Sequence, residues 1–153
     1  MIPRYTLPEM GALWTEQARF EAMLRVEIAV LRALVAMGAI PGEAAEAIAT
    51  RGRVDVERIN ELERTTDHDV IAFVSQVAET VGPEGRWLHY GLTSSDVVDT
   101  ALALQCRAAA DLLLAALDAA IETLVRRARE HVSRSIPVED RLKTSILTRA
   151  QAV

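Results

Sequence analysis

The chain has 153 residues, of which half are hydrophobic, a quarter are charged and only six are aromatic, and its formal net charge is −5. That length supports one domain with a real core, or a small domain and the beginning of a second, but not two full domains. No basic stripe stands out against the acidic background, which argues against a nucleic-acid surface. No uncharged run reaches the roughly 18 residues that a membrane span requires.

Alanine and leucine dominate the composition, which suits packed helices better than a sheet, so the expected class is all-α. Pro3 and Pro8 hold the first segment out of regular helix, placing Arg4 and Tyr5 on an extended arm. From Glu9 to Met37, Leu13, Phe20, Met23, Leu24, Ile28, Leu31 and Val35 recur at helical spacing, and Gly38 and Pro41 end that helix. "PGEAAEAIAT" predicts a short second helix, and "DVERINELERT", with Asp55 as cap, a third. A fourth starts around Asp67 to Asp69 and runs to the break at Gly82 and Pro83. After the "WLHYGLT" elbow at 87–93, Val98, Ala101, Leu102, Gln105, Ala109, Leu112, Ala116, Leu117, Ile121, Leu124 and Ala128 trace one face from Ser94 to about His131. Such a helix is roughly 55 Å long, more than a domain of this size covers by itself, so it should belong to a bundle whose other helices come from elsewhere. Acids Asp96 and Asp99 in its first turns and Arg126, Arg127 and Arg129 in its last suit the helix dipole. The elbow is the one domain boundary expected: a helical domain over 1–92, a long helix over 93–131, and a tail over 132–153.

Cys106 lies in an apolar helical run, cannot form an internal disulfide, and reads as a small buried side chain. The opening "MIPRYTLPEM" has no apolar signal-peptide core, and a soluble, cytoplasmic protein is the expectation.

Two stretches carry chemistry. In "GLTSSD", residues 91–96, Thr93 or Ser94 caps the first free amides of the long helix, and Asp96 resembles the acid of a capping box. One cap needs one hydroxyl; the surplus at a positive helix end suits a carboxylate or phosphate oxygen. In "TTDHDV", residues 65–70, His68 stands between Asp67 and Asp69. It is either a solvated residue at a helix start capped by one of those acids, or an imidazole whose neighbouring carboxylate fixes its tautomer and favours a positive or proton-donating ring. His89 is a second candidate that packs at the elbow, and His131 suits a plain C-terminal role. The histidines lack metal-ligand spacing and no glycine-rich phosphate loop is present, so neither metal nor cofactor is expected.

"RYTLPEM", "TTDHDVIAFV" and "HYGLTSSDVVDTAL", in that order and spacing, together resemble the adenylosuccinate lyases of the fumarase/aspartase superfamily over residues 1 to about 130. Related cycloisomerases share a Gly-x-Thr-Ser-x-Asp stretch, but the "HDV" block and the "RY" arm favour the purine enzyme. The resemblance implies β-elimination of fumarate from adenylosuccinate and from the analogous succinyl-carboxamide ribotide, an anionic nucleotide substrate, and a homotetramer. By position, Arg4 and Tyr5 would hold the substrate phosphate end. His68 with Asp69 would line the site as anion contact and possible proton relay, which makes His68 the catalytic candidate. Thr93 and Ser94 would bind the succinyl carboxylate.

From about Val132 onward the chain departs from the family pattern. Lyases of this kind carry a Thr-His-Gly segment with the general acid, then a mobile loop with the serine base, and "VSRSIPVEDRLKTSILTRAQAV" contains neither glycine nor histidine. A truncated gene or a shifted reading frame would each produce that, and the chain alone is expected to be inactive. A non-catalytic helical interaction module, or another superfamily lyase or cycloisomerase, remains as an alternative.

Overall fold

The computed structural model describes residues 2–132; the tail expected to depart from the family lies almost wholly outside them. Among the described residues there are six α-helices and no strand. Contacts divide the chain into two compact units, residues 1–110 and 111–153.

The first unit opens on a 3-10 turn over Pro3–Tyr5, where an extended arm was expected. The Tyr5 amide closes it onto the Ile2 carbonyl at 3.0 Å, a turn that proline's fixed φ favours. Helix α1 (Pro8–Ala12) then starts with proline in its first position, where a missing N–H costs nothing. The single helix expected over 9–37 is in fact two, α1 and α2 (Glu16–Ala36). Thr15 makes the break: its hydroxyl accepts from the Ala18 amide at 3.1 Å and donates to the Ala12 carbonyl at 3.2 Å, capping the second helix and tying it to the first. Phe20, Met23, Val26, Glu27 and Leu31 form the buried face of α2, and Gly38, at φ 71°, ends the segment.

Helices α3 (Gly42–Arg51) and α4 (Val56–Thr66) follow as expected, the latter capped by Asp55, whose Oδ1 accepts from the Arg58 amide at 3.1 Å. Helix α5 (Asp69–Val81) packs antiparallel-fashion after a tight corner at Asp67, which takes a left-handed conformation with φ 49°. Arg58 on α4 reaches both oxygens of Glu79 on α5, at 3.1 and 2.9 Å. That hydrogen bonding holds the Glu79 carboxyl below the usual carboxylate range. Phe73 of α5 stacks on Phe20 of α2, centroids 5.8 Å apart, at the centre of the core. A 3-10 turn over Pro83–Trp87 leads into the elbow, where His89 has φ 60° and Gly91 φ 74°.

Helix α6 (Ser94–Val132) begins in the first unit, burying Val97, Ala101, Gln105 and Ala109 at four-residue steps. Cys106, expected to be buried, is exposed. It follows Gln105 by one residue and is therefore rotated about 100° away from the buried line. In the second unit the described residues are the helical stretch 111–132, where Leu113, Leu114, Leu117, Ile121 and Leu124 are all exposed. No described helix is long and apolar enough to cross a membrane.

Candidate functional site

The residues singled out in the sequence fall into three places. His68 is the N-cap of α5: its Nδ1 accepts from the Ile71 amide at 3.4 Å. Neither flanking acid performs that role, as the solvated reading had supposed. Asp67 ends α4, donating its amide to the Glu63 carbonyl, and Asp69 is held by an ion pair with Arg19 of α2. Asp69 also accepts from the Val70 amide at 2.8 Å, and its Oδ1 lies 3.8 Å from the imidazole. The cap amide, not the carboxylate, therefore fixes the ring: Nδ1 acts as acceptor, which leaves the proton of the neutral ring on Nε2.

His68, Asp69 and Arg19 line a cleft of about 450 Å³ together with Phe20, Asn60, Glu63, Asp67 and Glu16. Spacing could not reveal Arg19, because its partner lies 50 residues along the chain. Four carboxylates and one guanidinium surround the cleft, so its positive groups are few and specific.

At the start of α6, Asp96 makes the reach-back half of a capping box, and among the described residues no hydroxyl makes the other half. Its carboxylate accepts from the Thr93 amide at 2.9 Å, and its own amide donates to the Thr93 carbonyl at 3.0 Å. Among the described residues the hydroxyls of Thr93, Ser94 and Ser95 enter no hydrogen bond, and Thr93 and Ser95 are exposed. These donors stand at the positive end of a 39-residue helix, where an anion is favoured.

Arg4 and Tyr5 sit in the opening turn, with the guanidinium 4.7 Å from the ring centroid and Tyr5 well exposed. Neither they nor Thr93 and Ser94 line the His68 cleft.

A contact not anticipated joins Glu27 to His89. The carboxylate is buried at 1% exposure, accepts from the His89 amide at 2.8 Å, and stands 2.8 Å from the ring Nδ1. The signal for it was present: Glu27 is a lone acid on the buried line Met23–Glu27–Leu31, and a buried carboxylate requires partners. Among the described residues no group of histidine, cysteine or acidic side chains is placed to hold a metal ion.

Residues 4–137 match the family model described as lyase. The chain is 52% identical over 134 residues to an adenylosuccinate lyase of Aquifex aeolicus and 45% identical over 131 residues to one of Bacillus subtilis. In each case 86% of this chain is covered, but only 31% and 30% of the relative, so the chain spans about a third of their length. In structure it is similar to a fumarate lyase from Mesorhizobium sp. BNC1, with TM-score 0.73 and 27% identity over 79% of this chain and 29% of that one. It is also similar to a 3-carboxy-cis,cis-muconate lactonizing enzyme from Pseudomonas putida, with TM-score 0.71 and 31% identity over 81% of this chain and 30% of that one. The three sequence blocks, the all-helical architecture and these matches agree: the chain belongs to the lyase family and is homologous over most of its length to adenylosuccinate lyases.

Proposed function

We propose that this chain carries the substrate-binding part of an adenylosuccinate lyase site, acting on adenylosuccinate and the analogous succinyl-carboxamide ribotide without a cofactor, in the cytoplasm. In the reaction a base removes a proton from the succinyl carbon, the carbon–nitrogen bond breaks, and an acid protonates the departing nitrogen, releasing fumarate and the nucleotide. Thr93 and Ser94 bind the succinyl carboxylate, Arg4 and Tyr5 the phosphate end, and His68 with Asp69 lines the reacting region. The general acid and base come from outside the described residues. Residues 1–92 act as the N-terminal helical domain and 93–131 as the first helix of a bundle completed in a homotetramer.

The observation that carries this reading is the start of α6, where Asp96 holds the Thr93 amide and the hydroxyls of Thr93, Ser94 and Ser95 are left for a ligand. Identity favours this substrate over a cycloisomerase one, at 52% and 45% against 31%. The second reading, a helical interaction module, is supported by the exposed leucines of residues 111–132.

The test is to join residues 1–130 to the remainder of the Aquifex aeolicus relative and follow fumarate release. Turnover in the fusion, lost in Ser94→Ala, is the expected outcome. A folded fusion without turnover contradicts the proposal.

A further inference from the structure

Glu27 is the one carboxylate in the buried face of α2, and both its oxygens serve a single residue 62 positions away. An ionised carboxylate only accepts hydrogen bonds, so the 2.8 Å contact requires the proton of the neutral His89 ring to be on Nδ1. The other oxygen holds the His89 amide, in a residue with φ 60°, a conformation that costs free energy and persists only where its surroundings impose it. The elbow's own turn bonds, from the Tyr90 amide to Trp87 and from the Leu92 amide to His89, are both long at 3.3 Å. Thr93 lies four residues beyond His89. We infer that Glu27 is a positioning residue: by clamping the His89 backbone it sets where the elbow delivers the Thr93–Ser94 hydroxyls at the head of α6.

This rests on the reading of those hydroxyls as carboxylate contacts. It also makes a chemical demand that separates substitutions at one site. Glutamine offers one acceptor and one donor, so it holds the His89 amide only if its NH2 group faces Nδ1 and the ring proton moves to Nε2. Leucine fills a similar volume in apolar surroundings, which favours folding, but holds neither group.

The experiment titrates the whole chain with succinate as a dicarboxylate probe and follows the Thr93 and Ser94 amide resonances, with the ring nitrogens of His89 read in parallel. Glu27→Gln should keep the apparent Kd within about threefold and switch the tautomer, whereas Glu27→Leu should keep the helix content and raise the Kd by about tenfold or more. A folded Glu27→Leu chain with wild-type affinity overturns the inference and leaves the carboxylate reading standing. A wild-type chain whose Thr93 and Ser94 resonances do not respond overturns the carboxylate reading, and this inference with it. Should Glu27→Leu fail to fold, hydrogen exchange in the wild-type chain decides: the His89 amide should be protected by about a hundredfold or more, and exchange at the rate of an open turn overturns the clamp.

Discussion

Replacing His68 with asparagine separates the two roles that meet at the start of α5. The imidazole caps the helix through a bond of 3.4 Å, beyond the usual range for an N–H donor, and its side chain is 42% exposed. Asparagine is among the preferred N-cap residues, and the His68 backbone is already extended at φ −153° and ψ 112°, the conformation a cap requires. Exchanging a long cap bond for a short one should add about 0.5–1 kcal/mol. For a cooperative unit spanning residues 1–110, this raises Tm by about 2–6 °C. Asparagine cannot titrate or donate a ring proton, so in the fusion with the Aquifex aeolicus remainder the same change should lower kcat/KM by about 2–4 kcal/mol of transition-state stabilisation. Circular dichroism melts of the chain and fumarate-release kinetics of the fusion are read side by side. A Tm that falls shows that the imidazole holds the corner by packing rather than by its cap. A raised Tm with kcat/KM unchanged within about twofold refutes the functional role of the ring.

Gly85→Ala should destabilise the first unit by about 1–3 kcal/mol in a denaturant titration, because a Cβ there would lie 2.8 Å from both the Cα and the Cβ of Ala78. Glu79, whose folded pKa is depressed by Arg58, contributes stability that is present above the ordinary glutamate value of about 4.3 and lost as pH falls through the folded value. The Tm difference between wild type and Glu79→Gln should therefore shrink as pH is lowered below about 5 and, since the pair is exposed, also as salt is added; a difference that grows on acidification contradicts the pairing. Leu117 and Ile121 are 56% and 55% exposed on the same helical stretch, and such apolar surface drives association. The chain should scatter light as an oligomer that Leu117→Lys with Ile121→Lys dissociates, and a wild-type monomer at micromolar concentration would rule this out.

Local interactions were legible in the sequence. The Asp55 cap, the glycine and proline breaks and the uninterrupted run from Ser94 all depend on residues within a turn or two of one another, so spacing alone revealed them. The pairing of Asp96 with the Thr93 backbone belongs to the same class. Even there, the break at Thr15 was hidden, because the apolar period continues across it while a single hydroxyl decides the helix start. What only the tertiary structure decided is which side chains meet across helices. Arg19 reaches Asp69 and Glu27 reaches His89. Hydrophobic periodicity identifies a face but not its partner, because burial is non-directional, whereas an ion pair or a hydrogen bond depends on where two distant backbones bring their atoms. Pattern therefore locates His68 and the Thr93–Ser94 helix head together with their local caps, while packing brings Arg19 to the neighbouring Asp69 and Glu27 to the elbow at His89.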